Sequence, residues 1–212
     1  MSTAREDILK RIRGINGPRH ASHQHEYDAL LRDYHQTGAL RLEERLDLFI
    51  DRLHDYDAIV YRCAPQRIAE TVAHALNTHS KSRLLIAPDL PAEWLPEGFC
   101  FTRDAGLSYS DIDASEGVMT ECILAIAVTG TIVLRHSPGD GRRALTLIPD
   151  YHLCIVFANQ VVETVPQAIR EMAAFGDVPL TTISGPSATA DIEMTRVKGV
   201  HGPRTLNVIL VE

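Results

Sequence analysis

The sequence has few cysteines, and none of them are closely spaced. No CxxC motif occurs, and each cysteine lies in an apolar context. Metal and iron–sulfur sites usually draw several thiolates from one loop, so this spacing argues against a cluster within the chain. We therefore predict no metal and no cofactor of the chain's own, and four buried, reduced thiols at Cys63, Cys100, Cys122 and Cys154.

The sequence also lacks a basic run and a long apolar run. The formal net charge is −7 and the pI is about 5.8, without the dense Lys and Arg patch that binding to a phosphate backbone requires. The N-terminal residues are charged throughout, and no stretch reaches the roughly 18 apolar residues of a membrane span. We therefore expect a cytoplasmic protein without a signal peptide, a membrane span or a nucleic-acid partner.

The composition that is present is typical of a globular domain, with 45% hydrophobic and 23% charged residues among 212. Residues 4–15 predict a short helix, and the polar, histidine-rich stretch after it predicts a loop or a loosely packed helix. We do not predict a metal site at His20, His23 and His25, because they lie in a predicted loop without a cysteine nearby. The predicted organisation is a helical or irregular extension at 1–39 and an α/β domain at 40–212.

Strand and helix patterns alternate after residue 40. Stripes of apolar residues predict helices at 40–53 and 65–77, and short apolar runs at 58–61 and 83–87 predict buried strands. This alternation is typical of βαβ units in a parallel sheet. Further strands are predicted at 99–102, 144–148, 152–157, 181–184 and 205–211.

Two segments of the second half carry more specific patterns. Residues 121–134, ECILAIAVTGTIVL, are two apolar runs around a Thr-Gly turn, which predicts a strand pair or a sharply bent strand. Residues 165–175 predict a helix with Val165, Ile169 and Met172 on its inner face. All of these patterns are compatible with an α/β fold.

The loop ISGPSATADIE is a candidate binding site. Gly185, Ser187 and Thr189 follow a predicted strand, and such a turn can expose N–H groups and hydroxyls that bind a carboxylate or a phosphate. The alternative is a Gly-Pro-Ser turn that only caps a following helix.

Asp191, Glu193 and His201 are the candidate catalytic residues. On a helix, Asp191 and Glu193 would diverge by about 200 degrees, so they would not act as one dyad. In a first helical turn they would simply complement the helix dipole. His201 stands between glycines in VKGVHGP, where a close backbone approach would bring its imidazole beside the loop, and a purely structural turn is the alternative.

Arg142 and Arg143 form a second candidate binding site, in HSPGDGRRALTL before a predicted strand. Guanidinium groups at the entrance of a strand can bind a carboxylate or a phosphate bidentately. A solvated hairpin with two surface arginines is the alternative.

Four segments together resemble a known family. They are AIAVTGTIVL at 125–134, GRRALTLIPDYHLCIV at 141–156, TVPQAI at 164–169 and SGPSATADIEMTRVKGVHGPRTLNVILV at 184–211. They are similar to the lactate-utilisation protein C family and its LUD domain. The resemblance implies a three-layer α/β/α sheet of the sugar-phosphate isomerase and coenzyme A transferase-like type. It also implies two iron–sulfur partner proteins, which would carry the clusters while the set oxidises L-lactate to pyruvate.

One turn departs from the family pattern. The family's usual Ala-Glu-Thr-Gly-Thr reads AVTGT here, with Val128 at the acidic position. A glutamate on a comparable turn is the nucleophile of the related transferases, so that covalent chemistry is unavailable. The polar groups that we expect to be exposed nearby are Glu121, Thr129 and Thr131.

Three functions are compatible with these features. The first is an accessory subunit without iron–sulfur clusters in a lactate-oxidising system. It would bind a small anion through Thr129, Gly130 and Thr131, Arg142 and Arg143, and Gly185, Ser187 and Thr189. The second is a stand-alone isomerase or transferase acting on a sugar phosphate or an acyl thioester, with His201 or Asp191 as general base. The third is a non-catalytic assembly module.

Overall fold

The computed structural model divides the chain into two compact units, residues 1–34 and 35–212. The structure describes residues 3–16, 21–136, 141–189, 197–198 and 202–212. The first unit contains the helices α1 (Ala4–Asn16) and α2 (Ala21–Asp28). Helix α1 confirms the helix predicted at 4–15. Within the described ranges, no helix is long and apolar enough to cross a bilayer.

The second unit opens with alternating helices and strands, as the sequence pattern predicts. In chain order they are helix α3 (Leu42–Asp55), strand β1 (Ile59–Cys63), helix α4 (Ile68–Thr78), strand β2 (Arg83–Ile86), strand β3 (Cys100–Arg103), helix α5 (Tyr109–Asp113) and strand β4 (Val118–Glu121). Helix α3 forms because Leu46, Phe49 and Leu53 recur at helical spacing, and all three are buried. The separate strand β4 was not predicted.

Eight strands and one helix complete the second unit. They are β5 (Leu124–Ile126), β6 (Thr131–Arg135), β7 (Tyr151–Phe157), β8 (Val161–Val162), α6 (Val165–Met172), β9 (Leu180–Ser184), β10 (Ala188–Thr189), β11 (Val197–Lys198) and β12 (Thr205–Val211). Strand β12 spans the residues predicted for it. Helix α6 begins at Thr164, whose hydroxyl accepts a hydrogen bond from the Gln167 amide, with Pro166 in the first turn, where proline costs no hydrogen bond.

Six parallel strands form the main sheet, in the order β1-β12-β7-β4-β2-β3. Two adjacent inner strands, β7 and β12, are almost entirely apolar and buried. Such continuous apolar strands occur where helices cover both faces of a parallel sheet. The predicted α/β class with a helix-flanked parallel sheet is therefore confirmed.

Side chains of β12 alternate between the two faces of this sheet. Val208 and Leu210 pack with α3 on one face, whereas Ile209 and Val211 pack with α4 on the other. This period of two follows from the pleat of a β-strand. The core therefore consists of two apolar layers, one on each side of the inner strands.

A second sheet lies beside the first and has four strands in the order β8-β5-β6-β9. Strands β5 and β6 are antiparallel, so the strand pair predicted from ECILAIAVTGTIVL is confirmed. Helix α6 covers this sheet through Ala168, which packs in one cluster with apolar residues of β5, β6 and β8.

Two predictions about local structure are wrong. The strand predicted at 144–148 is a 3-10 turn over Arg143–Thr146 followed by a bend, and no strand of either sheet pairs with it in the described structure. The inner face predicted for α6 is wrong for two of its three residues, because Val165 and Ile169 are exposed and Ala168 is buried instead. Met172 is confirmed on the inner face, since it packs against the same cluster as Ala168.

The predicted burial of the cysteines holds for two of the four. Cys122 and Cys154 are buried, Cys63 is half-buried and Cys100 is exposed on the edge strand β3. All four are free thiols, as predicted. Cys100 is exposed because nothing in the described structure pairs with the outer side of β3.

Candidate functional site

A cleft opens at the carboxyl end of β4, between the main sheet and the second sheet. Its inner part is lined by Thr120, Glu121 and Cys122, which end β4, together with residues of β6 and of the 3-10 turn. Its outer part has a volume of about 430 Å³ and shares His136, Gly141 and Arg142 with the inner part. Ligands of open α/β sheets usually bind at the carboxyl ends of the strands, so this cleft is the candidate site.

Arg142 forms one wall of the outer cleft through an ion pair with Asp104. Its Nε atom lies 2.7 Å from Asp104 Oδ2 and its Nη2 atom 3.0 Å from Asp104 Oδ1. The carboxylate also accepts backbone N–H groups from Gly106 and Leu107. These donors, with the Arg142 hydrogen bond as the largest contribution, lower the pKa of Asp104 below its usual value. Arg142 is thus already engaged with a carboxylate of the chain itself.

Arg143 also lines the outer cleft but binds no carboxylate within the described part of the chain. Its Nη1 donates to the carbonyl and to the hydroxyl oxygen of Thr146, both at 2.9 Å. Partial burial lowers the pKa of Arg143, because the charged guanidinium loses hydration. A desolvated cation at the wall of a cleft is a group to which an anion can bind.

His136 directly follows β6 and contacts Gly141, the residue before Arg142. Its Nδ1 atom lies 3.2 Å from the Gly141 carbonyl oxygen, and its Nε2 atom lies 2.6 Å from the Thr181 hydroxyl. Because a carbonyl oxygen only accepts, Nδ1 carries a proton and donates it to this bond. His136 therefore acts structurally in this arrangement, and it presents a polar surface to the cleft.

A buried histidine contacts the inner part of the cleft. His152 is almost fully buried in β7, and its Nε2 atom lies 2.8 Å from the Thr120 hydroxyl at the inner cleft. Burial, and secondarily the charge of Arg143, lower the pKa of His152 from 6.5 to about 4. His152 is therefore uncharged at neutral pH, and its titration is sensitive to the charge at Arg143.

The turn with Thr129, Gly130 and Thr131 lies outside the residues that line this cleft. Gly130 has a left-handed φ of 57°, and a Cβ there would come within 2.9 Å of the Arg52 backbone in α3. The hydroxyl of Thr131 lies 2.7 Å from those of Thr129 and of Ser184. Thr131 is buried, so the exposure expected for it is wrong, whereas Glu121 is exposed as expected. Anion binding at this turn stays a prediction.

The loop with Gly185 and Ser187 approaches the 3-10 turn from the other side. The Ser187 amide donates to the Pro203 carbonyl at 2.8 Å. A Cβ at Gly202 would lie 3.6 Å from Ser187 Cβ and 3.7 Å from the Thr146 carbonyl oxygen. The structure thus brings Ser187 near Thr146, the residue that holds Arg143. Gly185 instead packs against Tyr56, and Thr189 pairs with Val197 in β10 and β11.

The candidate catalytic residues Asp191, Glu193 and His201 lie outside the described residues, as does His20 of the N-terminal stretch. Their roles stay predictions. Among the residues that the structure does describe, no group of three or more His, Cys, Asp or Glu side chains is placed to hold a metal ion.

Several residues of the cleft were missed in the sequence. Asp104 directly follows β3 and His136 directly follows β6, so both are polar residues at the end of a strand. That position is a recognisable signal in α/β folds. Thr146 was missed because residues 144–148 were assigned to a strand.

Comparison with known proteins agrees with the resemblance seen in the sequence. The LUD domain matches residues 107–211. A lactate utilization protein C of Deinococcus radiodurans is 42% identical over 181 residues, which cover 84% of this chain and 84% of that protein. A protein of the same name from Bacillus subtilis is 36% identical over 136 residues, 60% of this chain and 55% of its own.

A solved structure is also similar. The crystal structure of a DUF162 family protein from Deinococcus radiodurans superposes with a TM-score of 0.72 at 38% identity, covering 82% of this chain and 100% of that chain. The cleft between β4 and the 3-10 turn falls within the matched LUD domain, apart from Pro88, Asp104 and Gly106 at its rim. On these similarities, the chain belongs to the lactate utilization protein C family.

Proposed function

We propose that this chain is the accessory, non-iron–sulfur subunit of a cytoplasmic system that oxidises L-lactate to pyruvate. Its own contribution is to bind a small anion in the cleft at the end of β4. The family supports a role in lactate utilisation, since relatives that cover most of the chain bear that name. The observation that carries the anion site is Arg143, a partly buried cation of the cleft wall without a carboxylate partner in the described structure.

The division of labour follows from the chemistry of the reaction. Oxidation of lactate to pyruvate removes two electrons and two protons from the hydroxy acid, so an electron acceptor is required. Among the described residues, none of the four cysteines belongs to a group of three or more side chains that could hold a metal ion. In this proposal the electrons pass to iron–sulfur clusters in two partner proteins.

Affinity purification tests the subunit role. The tagged chain is isolated under anaerobic conditions from its native host grown on L-lactate, and co-purifying proteins are identified by mass spectrometry. We expect two iron–sulfur proteins, and we expect deletion of the chain to abolish growth on L-lactate. Recovery of neither partner, with unchanged growth of the deletion strain, would refute the proposal.

A further inference from the structure

We propose that Arg143 binds the carboxylate of a short-chain monocarboxylate through the edge formed by its Nε and Nη2 atoms. The inference rests on the anion site of the proposed function and adds the residue that binds and the chemical class that is bound. It assigns the binding role to Arg143 over Arg142, the Gly130 turn and the Ser187 loop.

Arg142 shows this mode of binding within the same chain. Its Nε and Nη2 atoms donate to the two oxygens of Asp104, which is the side-on, bidentate arrangement of a guanidinium and a carboxylate. Because this edge is occupied by Asp104, Arg142 has no second bidentate edge of the same kind to offer to a ligand.

Arg143 has the same edge without such a partner. Both hydrogens of its Nη1 are directed to Thr146, to the carbonyl and the hydroxyl oxygen. Among the described residues, no acceptor lies within hydrogen-bond distance of its Nε or Nη2. Thr146 is itself buried, so it holds the guanidinium in one orientation before a ligand arrives. A carboxylate that binds to the Nε and Nη2 atoms would therefore bind to a guanidinium that is already oriented.

The charges around the cleft suit a ligand with one negative charge. Three arginines line its two parts, at positions 135, 142 and 143, and they face two carboxylates, Glu121 and Asp104. In this described lining, the arginines exceed the carboxylates by one positive charge. A monocarboxylate would neutralise that charge, whereas a phosphate dianion would introduce an unbalanced negative charge near Asp104 and Glu121.

Apolar side chains in the inner part suit a short alkyl group. Ile123, Leu134 and Leu145 line it beside the hydroxyls of Thr120 and Thr146. The inner part adjoins the outer part at His136, Gly141 and Arg142, so we expect an acid bound at Arg143 to direct its methyl group toward these apolar side chains. A hydroxyl or keto oxygen on the second carbon would lie within the polar part of the lining.

His152 provides an internal reporter of ligand binding. It is buried and contacts Thr120 of the inner cleft, and after burial the positive charge of Arg143 is the second cause of its low pKa. A carboxylate bound to Arg143 would offset this charge and raise the pKa of His152. Removal of the guanidinium would raise it without any ligand.

Calorimetric titration of the full chain tests the inference. The titrations are run at about pH 8, where phosphate is mainly the dianion. The probes are L-lactate and pyruvate as monoanions, and malonate and inorganic phosphate as dianions of similar size. We expect the monocarboxylates to bind at least tenfold more tightly than the dianions. Arg143→Gln should weaken monocarboxylate binding about tenfold or more, which corresponds to the loss of one charge-assisted hydrogen-bonded pair.

Two further variants separate binding from folding. Arg67→Gln removes the same charge from an exposed ion pair with Glu70 outside the cleft, and it should leave binding unchanged. Arg143→Lys keeps the charge but loses the bidentate edge, so it should bind monocarboxylates more weakly than the wild type and still prefer them to dianions. Histidine NMR in the wild type should show the His152 titration move to higher pH when L-lactate is added.

The outcomes distinguish this inference from the proposed function. Equal or tighter binding of malonate or phosphate would overturn the monocarboxylate class while leaving an anion site in place. Unchanged lactate binding in Arg143→Gln would overturn the role of Arg143, again leaving anion binding in place. Absence of saturable binding for all four probes would overturn both the inference and the anion site, but not the association with iron–sulfur partners.

Discussion

Substitution of Asp104 by asparagine should destabilise the protein, because it removes the ion pair with Arg142 in the wall of the cleft. The Asp104 side chain is 4% exposed, and its carboxylate accepts hydrogen bonds from Arg142 and from two backbone N–H groups. Asparagine keeps the shape but removes the charge and turns one acceptor into a donor that faces other donors. Each hydrogen bond to a charged group contributes about 1.5–3 kcal/mol net.

The expected loss is smaller than the sum of these bonds, because the partner is partly solvated. The Arg142 side chain is 39% exposed and regains water when the pair is broken. We therefore expect Asp104→Asn to lower the free energy of unfolding by about 2 kcal/mol. For a chain of this length, that loss lowers the melting temperature by roughly 4–8 °C.

Asp150 provides the matched control. It pairs with Arg204 in the same bidentate geometry, at 2.6 and 2.8 Å, but the two side chains are 50% and 61% exposed. Because exposed ion pairs contribute little, Asp150→Asn should cost less than about 1 kcal/mol. Urea unfolding followed by circular dichroism measures both variants. Equal destabilisation by the two substitutions would refute the argument from burial.

Acid titration gives a second readout of the Asp104 variant. Because the folded protein lowers the pKa of Asp104, its stabilising contribution is present above the unfolded value near 4 and is lost as the pH falls through the folded value. Asp104→Asn should therefore lose less stability than the wild type on acidification below about pH 4. An unchanged pH profile in the variant would contradict this linkage.

Three further outcomes are expected. Gly130→Ala should lower the free energy of unfolding by about 2 kcal/mol, because the left-handed φ is strained for alanine and the new Cβ would clash with Arg52. Gly98→Ala is the control, since Gly98 has a left-handed φ but open space around it, and it should cost less. Equal losses of stability in urea unfolding would exclude a contribution from the clash. The folded protein lowers the pKa of His152 to about 4, against 6.5 in the unfolded chain, so the free energy of unfolding should fall by up to about 3 kcal/mol between pH 6.5 and pH 4. His152→Gln should make this pH dependence shallower. An equally steep dependence in the variant would show that His152 is not its cause. Asp104→Asn should also raise the affinity of the cleft for phosphate, because it removes one negative charge from the described lining. Calorimetry that shows no gain in affinity would contradict this prediction.

Patterns that depend on neighbouring residues along the chain were predicted well. Strand β12 was predicted over its full length, because four of its seven residues are β-branched and two more are leucines, which suits a buried strand. The strand pair around the Thr-Gly turn was also predicted, since a glycine at left-handed φ was needed to reverse the chain.

Predictions that depended on distant partners failed more often. Residues 144–148 are apolar enough for a strand, yet Arg143–Thr146 form a 3-10 turn in which the Arg143 guanidinium donates to Thr146. The face of α6 was misassigned for Val165 and Ile169 because the helix contacts the second sheet through Ala168, and the sequence does not show which side of a short helix its partner covers.

The sequence by itself determined the α/β class, the family and the presence of a double arginine in a loop. These features depend on local periodicity and on residue identity, which the chain carries without folding. Only the tertiary structure decided that the two arginines differ. Asp104 lies 38 residues before Arg142, and the parallel sheet brings them together, so that one guanidinium is neutralised. Both oxygens of Asp104 accept hydrogen bonds from Arg142, so Arg143 remains at the wall of the cleft without a carboxylate partner among the described residues.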